Sequence, residues 1–80
     1  MRLDKFLKVS RLIKRRSVAN EACDASKIIV NGKPARASYA VSVGDVIEIR
    51  FGQKLLKAEV LSVSEHANKE QAVTMYREIN

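Results

Sequence analysis

Apolar and basic side chains recur at helical spacing in the first sixteen residues. When these residues are plotted at about 100° per residue, one side of the helix collects the apolar side chains of Leu3, Phe6, Leu7, Val9 and Ile13. The opposite side and its borders collect seven cations: Arg2, Lys5, Lys8, Arg11, Lys14, Arg15 and Arg16. An apolar stripe of this width packs on a core, so we expect one amphipathic helix that reaches Arg16 and presents its cations to solvent.

A second, shorter helix is predicted from Val18 to about Ala25. Ser17 is a favoured residue type for its N-cap, and the small side chains of Ala22 and Cys23 would let this helix lie close against the first. Cys23 is the only cysteine of the chain. Because there is no second thiol for an internal disulfide, we interpret Cys23 as a small buried apolar residue.

Three later segments have the composition of strands. Lys27–Val30 is apolar and β-branched, which favours a strand. Val46–Phe51 alternates, so that Phe51 shares a face with the two isoleucines before it. Leu55–Val63 is the return strand of a hairpin, in which the even-numbered residues from 56 to 60 face the core.

Turn signals separate these strands. The pair Asn31-Gly32 is the strongest short signal for a tight turn with positive φ. Pro34 cannot donate to a strand ladder, so it predicts a sheet edge or an open loop. Val43–Asp45 and Gly52–Lys54 are predicted as the two later turns. These signals together predict a small, mainly antiparallel sheet.

The C-terminal residues predict a third helix. Asn68 and Gln71 have the spacing of a capping box, and apolar side chains follow at positions 72, 75, 76 and 79. The order helix, helix, strands, helix predicts an α+β fold. We expect one domain over residues 1–80, with two N-terminal helices packed on the sheet and a short helix at the C-terminus.

The positive charge is concentrated in the N-terminal segment. The chain has a net charge of +6, and residues 1–16 hold seven of the fifteen Lys and Arg but only one acid, Asp4. The remaining residues hold eight cations and eight acids. A solvated helix face is the common reason for a basic run, but these cations have almost no acidic partners at helical spacing. Several are Arg, which binds phosphate bidentately, so we predict a nucleic-acid ligand.

Length and composition exclude several other classes of protein. A chain of eighty residues has a small core with little room for a buried active site. The single His66 lies in a polar loop, with no arrangement that suggests a triad or a metal site. No apolar run approaches the roughly twenty residues that cross a bilayer. We therefore expect a cytoplasmic protein that is not an enzyme and uses no metal or cofactor.

The predicted binding surface begins on helix one and its junction with helix two, where Lys5, Lys8, Arg11, Lys14, Arg15 and Arg16 would contact phosphates. Arg2 would contact the nucleic acid from the helix start, with Asp4 orienting it or a neighbouring base. Asp4 could hold Arg2 or Lys8 in place, and charge alone does not exclude DNA. Four further residues, Lys27, Asn31, Lys33 and Arg36, extend this surface if the turn at Asn31 folds back beside helix two. Because aromatic residues are few, we predict contacts to phosphate and folded shape rather than base stacking.

Three stretches resemble the S4-like αL RNA-binding domain. They are Arg2-Leu-Asp-Lys-Phe-Leu, the basic stretch that ends in Arg16-Ser17, and Lys27-Ile-Ile-Val-Asn-Gly-Lys33. This resemblance covers about residues 2–50; the hairpin and C-terminal helix are expected over 46–80. Relatives usually have Gly just before the basic residue that opens the strand, where this chain has Ser26. Ser can adopt the left-handed conformation of a helix C-terminus at some cost.

Longer stretches are similar to the RqcP (YabO) family, the stand-alone version of this domain in Gram-positive bacteria. They are the full run MRLDKFLKVSRLIKRR, the turn Val43–Asp45, the stretch Arg50–Leu55 and the ending Met75-Tyr76. The resemblance implies a factor of ribosome-associated quality control, with Arg2, Asp4 and Arg16 as its important positions. Such factors bind obstructed large ribosomal subunits at rRNA and P-site peptidyl-tRNA. They support C-terminal alanine tailing with an NEMF-family partner, RqcH, and we expect a monomer.

Three alternatives stay open at this point. The chain could be a heat-shock-type factor that recycles obstructed large subunits, although the longer basic C-terminal tail usual in that group is absent. It could bind structured RNA generally, without ribosomal specificity. It could also be an adaptor whose first helix docks an acidic protein, in which case binding would depend weakly on salt.

Overall fold

The computed structural model describes residues 1–79 and confirms the predicted α+β class. Residues 1–79 contain three short helices and five strands. They are α1 (Leu3–Val9), α2 (Arg16–Asp24), β1 (Ile28–Val30), β2 (Lys33–Pro34), β3 (Val46–Phe51), β4 (Lys54–Val60), α3 (Lys69–Ala72) and β5 (Tyr76–Ile79). Within these residues, no helix has the length and apolar character needed to cross a membrane.

The five strands form one antiparallel sheet in the order β2-β1-β3-β4-β5. The predicted hairpin register is confirmed, since Ile47 pairs with Ala58 and both are buried. The core joins α1, with its fully buried Leu3 and Phe6, to the apolar face of the sheet. Pro34 lies in the edge strand β2, as its missing N–H predicts.

The C-terminal segment differs from the predicted helix. The capping box of Asn68 and Gln71 is present, but α3 ends at Ala72, and the following residues form β5 against β4. The apolar spacing at 72, 75, 76 and 79 fits a helix, yet an isolated helix of this length is marginal in water. Pairing with the open edge of β4 satisfies the backbone of both segments. Met75, between the two elements, is buried in the core.

The first helix is also shorter than predicted, because it ends at Val9 rather than at Arg16. Arg11 has a φ of +64°, in the left-handed region. The chain then turns so that the N–H of Ile13 donates to the carbonyl of Leu7 at 3.0 Å, and the Ile13 side chain is buried. A continuous helix could not bring α2 back against α1, whereas this turn lets both helices share one core.

The end of α2 confirms the left-handed conformation predicted for Ser26, which has a φ of +59°. The N–H groups of Ser26 and Lys27 donate to the carbonyls of Cys23 and Ala22 at 3.0 and 2.9 Å. This pair of bonds is the Schellman motif that usually contains glycine at the left-handed position. The motif directs the chain from α2 into β1.

A buried carboxylate fixes the long loop between β2 and β3. Asp45 accepts hydrogen bonds from the Asn31 amide at 3.0 Å, the Tyr39 hydroxyl at 2.9 Å and the Ser42 N–H at 2.9 Å. Burial alone would raise the pKa of Asp45, but the hydrogen bonds from Ser42, Asn31 and Tyr39 outweigh it and lower the pKa. Asn31 and Gly32 both have positive φ, as the turn signal predicts.

Candidate nucleic-acid interface

Asp4 is the centre of the basic surface. Its carboxylate accepts hydrogen bonds from Arg2 at 3.2 and 3.4 Å and from Arg16 at 3.4 Å, and it is also within 3.4 Å of the Arg16 Nε. The amide of Asn20 donates to it at 3.3 Å, and the N–H of Lys5 donates at 2.8 Å. The predicted orientation of Arg2 by Asp4 is confirmed. Arg16, and not the predicted alternative Lys8, is its second basic partner.

Backbone contacts hold this cluster in place. The first N–H groups of α1, those of Leu3 and Asp4, donate to the carbonyls of Tyr39 and Ala37 at 2.8 and 3.2 Å. These two bonds satisfy donors that a helix start leaves without intrahelical partners. Because the same loop is fixed by the Asp45 network, the start of α1 cannot move independently of the sheet.

The start of α2 supplies the other half of the cluster. The predicted N-cap at Ser17 is wrong: α2 begins at Arg16, and the N-cap residue Arg15 makes no side-chain cap. Arg16 and Asn20 lie one turn apart, so both point to the same side of α2 and reach Asp4. Sequence reasoning missed Asn20, although its spacing of four from Arg16 was the available signal.

The electrostatics of the cluster favour a charged Asp4. Burial alone would raise the pKa of this carboxyl, but hydrogen bonds from Arg2, Asn20, Arg16 and the Lys5 N–H lower it below its usual value. Asp4 has 4% of its side chain exposed, whereas Arg2 and Arg16 have 51% and 48% exposed. One buried carboxylate therefore orients two guanidinium groups that still offer donors to solvent. Such oriented guanidinium groups suit bidentate contact with phosphate.

An open cavity of about 360 Å³ lies beside this cluster and gathers several of the predicted cations. Lys5, Lys8, Arg11 and Arg16 line it. The cavity is completed by Glu65 and His66 from the loop after β4. Glu65 forms an ion pair with Lys5, whose hydrogen bond lowers the pKa of the Glu65 carboxyl. Sequence reasoning missed this loop, because only the tertiary fold brings it against α1.

A second open cavity of about 650 Å³ is lined by Asn20, Arg2 and Arg36. Arg36 also lines a neighbouring cavity of about 550 Å³ together with Lys33 and Tyr39. Residues 34–38 line the first of these cavities together with Asn20 of α2, so the segment after the turn at Asn31, rather than the turn itself, lies beside α2. The basic surface thus continues from Arg16 through Arg2 and Arg36 to Lys33.

The remaining predicted site residues lie apart or serve the fold. Lys14 and Arg15 are exposed in the turn before α2, and they take part in none of the ion pairs between residues 1 and 79. Lys27 is exposed at the opposite end of α2. Both polar atoms of the Asn31 side chain bond within the protein, to Asp45 and to the Val46 N–H at 2.9 Å. These bonds give Asn31 a role in the fold, and its contact with a nucleic acid stays a prediction.

The interior beneath the interface offers no reactive thiol. Cys23 is buried as predicted, and burial, with smaller contributions from Asp4 and Asp24, raises the pKa of its thiol to about 11. Among the described side chains, no three His, Cys, Asp or Glu residues lie close enough to hold a metal ion. The interface is built from cations and hydrogen-bond donors.

Comparisons with known proteins show the family of this chain. Residues 1–47 match the family model described as S4 domain. The "RQC P-site tRNA stabilizing factor" of Halalkalibacterium halodurans is 57% identical over 95% of this chain and 86% of its own length. The protein of the same name from Bacillus subtilis is 53% identical over 95% of this chain and 88% of its own length. The chain belongs to the family of RQC P-site tRNA stabilizing factors.

A solved structure extends this family relationship to the fold. The trimeric structure of Vibrio cholerae heat shock protein 15 superposes with a TM-score of 0.91 at 31% identity, over 99% of this chain and 81% of that one. The similarity spans nearly the whole RQC P-site tRNA stabilizing factor fold, including the hairpin and β5 beyond the S4 match. The likeness to the αL domain and to the RqcP family, inferred from the residue pattern, is confirmed.

Proposed function

We propose that this protein is an RNA-binding factor of bacterial ribosome-associated quality control, without catalytic activity of its own. It binds large ribosomal subunits that are obstructed by peptidyl-tRNA, contacts rRNA and the P-site tRNA, and supports C-terminal alanine tailing of the stalled nascent chain. A protein of the NEMF family, similar to RqcH, directs the tailing. The factor acts in the cytoplasm as a monomer.

The observation that carries this proposal is the pair of arginines oriented by buried Asp4. Arg2 comes from before α1 and Arg16 from the first turn of α2, yet one carboxylate positions both. Two guanidinium groups at a fixed separation fit phosphates only where an RNA backbone has a matching fold, which favours structured RNA over extended strands. The names of the relatives supply the ribosomal setting, since those proteins are called RQC P-site tRNA stabilizing factors.

The wider basic surface would supply affinity. Lys8 and Arg11, in the cavity beside Arg16, are exposed and have no carboxylate partner among residues 1–79. Lys14 and Arg15 extend the surface along the turn. About five phosphate contacts predict that the logarithm of the binding constant falls with the logarithm of salt concentration with a slope of roughly −3.5 to −4.5. An adaptor that docks a protein mainly through apolar contacts would have a much shallower slope.

The test is sedimentation of the tagged protein through a sucrose gradient, in lysate from Bacillus subtilis cells that lack their own factor. We expect the wild-type protein to travel with free large subunits that still hold tRNA. Arg16→Ala should shift it to the top of the gradient. Arg77→Ala is the matched control, because Arg77 is an exposed arginine on β5 whose partner is Glu59 at 2.5 Å. If wild type and both variants stay at the top at low salt, the ribosomal proposal is wrong.

The likeness to heat shock protein 15 supports a second candidate, a recycling factor for obstructed subunits. The two functions differ in what happens to the nascent chain. In the same cells, a quality-control factor should restore alanine tails on a stalled reporter protein, whereas a recycling factor should release the obstruction and leave the tails absent. A generic RNA binder would bind a bare duplex as tightly as tRNA.

A further inference from the structure

The tip of the β3–β4 hairpin exposes large apolar side chains beside cations. Phe51 and Leu55 are 48% and 54% exposed. Arg50, which precedes Phe51, and Lys54, which precedes Leu55, are exposed as well. Phe51 has the register of the buried Ile49, but the tip projects past the first residue of β1, and about half of the Phe51 side chain is exposed. An exposed phenylalanine on a projecting tip has no role in the core.

The strand register assigns these side chains to two faces. Arg50 pairs with Leu55, and Phe51 pairs with Lys54. The N–H of Arg50 donates to the carbonyl of Lys27 at 3.0 Å, so Lys27 lies beside Arg50. One face of the tip therefore carries Lys27, Arg50 and Leu55, and the other carries Phe51 with Lys54 directly opposite.

This arrangement fits a nucleic acid better than a protein. None of the ion pairs among residues 1–79 involves Lys27, Arg50 or Lys54, and the tip has no acidic residue between positions 50 and 55. The two apolar side chains lie on opposite faces, so they form no continuous apolar centre of the kind that protein interfaces have. On its own face, the Phe51 ring has Lys54 directly opposite, and this pair suits one stacked base with a phosphate beside it.

The tip is also separate from the arginine pair. Lys27 follows the end of α2, whereas Arg16 begins it. Nine helical residues span roughly 13 Å, so one nucleotide cannot contact both ends. A ligand held at Arg2 and Arg16 would reach the tip with a different part of its chain.

We infer that the hairpin tip is a second RNA contact, at which Phe51 stacks on an unpaired base and Lys54, on the same face, binds the adjoining phosphate. This inference rests on the proposed RNA-binding function and adds to it a site for single-stranded RNA. It also revises the sequence-based expectation that base stacking plays no part.

The test uses two labelled RNAs, a stable stem-loop and the same stem-loop with an eight-nucleotide single-stranded adenosine extension. Fluorescence anisotropy gives the affinity of the full chain for each. Wild type should bind the extended RNA more tightly. Phe51→Ala should lower the affinity for the extended RNA by about 5- to 150-fold, the range for one base–aromatic stack. Its affinity for the plain stem-loop should change little. Phe51→Tyr, which keeps the ring, should retain the gain.

The controls separate this contact from the main interface. Leu55→Ala removes an equally exposed apolar side chain without a ring and should change either affinity less than twofold. Arg16→Ala should weaken both RNAs by a similar factor. If the plain stem binds and responds to Arg16→Ala but the extension adds nothing, the tip inference is wrong and the proposed function stands. If Leu55→Ala costs as much as Phe51→Ala, the contact is not stacking. If wild type binds neither RNA, both proposals fail.

Discussion

Replacing Asp4 by Asn is the most informative single perturbation of this protein. The substitution keeps the size of the side chain but removes its charge, and it replaces one acceptor oxygen by an NH₂ group. In the position of Oδ2, that group would face donors from Arg2, Arg16 and Asn20. The orientation of both arginines should therefore be lost while the fold is kept.

The expected loss of stability follows from which partners water can replace. Hydrogen bonds to a charged group contribute about 1.5–3 kcal/mol each to the free energy of unfolding. Arg2 and Arg16 are about half exposed. Their N–H donors can therefore bond to water instead, and losing their bonds to Asp4 lowers the free energy of unfolding only a little. The Lys5 N–H donates to one oxygen of Asp4 and the Asn20 amide to the other, so the asparagine keeps one of these two bonds and loses the other. We expect Asp4→Asn to lower the free energy of unfolding by about 1–3 kcal/mol, which urea denaturation measures.

The effect on RNA binding discriminates between two views of Asp4. If Asp4 only reduces the positive charge of the surface, Asp4→Asn raises the net charge and strengthens binding. If Asp4 acts by orienting the arginines, the variant binds tRNA about tenfold more weakly, equivalent to one charge-assisted contact. We expect the second result, measured by anisotropy at 0.15 M salt. Asp24→Asn removes the same charge from an exposed position on α2 and should bind at least as tightly as wild type.

A double-mutant cycle completes the test. Because Asp4 orients Arg16 as well as Arg2, adding Asp4→Asn to Arg16→Ala should cost less binding free energy than Asp4→Asn alone. A folded Asp4→Asn protein that binds tRNA as tightly as wild type, or more tightly, would refute the orienting role. So would full additivity of the two substitutions.

Three further predictions concern the fold. Ser26→Gly should relieve the left-handed strain at the end of α2 and stabilise the protein by about 0.5–1 kcal/mol, a rise in melting temperature of roughly 2–8 °C; an unchanged or lower melting temperature contradicts this. Cys23, with a thiol pKa of about 11, should react with iodoacetamide at pH 8 only at the rate of unfolding, and mass spectrometry with and without urea checks it. Asp45→Asn should lower the free energy of unfolding by about 1–3 kcal/mol at pH 7. Folding lowers the pKa of Asp45, so its charged carboxylate stabilises the protein above about pH 4, and this stabilisation is lost as pH falls through the folded pKa. The difference in free energy of unfolding between Asp45→Asn and wild type should therefore be smaller at pH 3 than at pH 7. A difference that stays constant with pH would contradict this role of Asp45.

Much of the fold could be predicted because its signals are local. The Asn31-Gly32 turn, the β3–β4 hairpin and the Asn68 capping box each depend on residues close together in the chain, and all three are confirmed. The end of α1 at Val9 could not be predicted in the same way. The turn after α1 has its left-handed residue at Arg11, and arginine is not a residue type that signals a turn. The turn forms because the Ile13 side chain packs into a core that other segments complete.

The C-terminal strand shows how one pattern can fit two structures. Apolar residues at 72, 75, 76 and 79 have helical spacing, but the segment from Tyr76 pairs with β4. Only the assembled sheet provides the open edge that decides between them. The exposure of Phe51 has the same kind of cause, because its place in the alternation predicts a face and only the lengths of the neighbouring strands decide whether that face is covered.

The sequence by itself determined the chemistry of this protein: a basic N-terminal segment with one acid, a small α+β chain, and the residue runs of an RNA-binding family. The tertiary structure alone decided the arrangement of that chemistry. Arg16 reaches Asp4 because the chain turns after Val9, and Glu65 reaches Lys5 because the loop after β4 crosses α1. Composition and spacing are properties of neighbouring residues, whereas the position of a guanidinium group depends on how distant segments pack around one core.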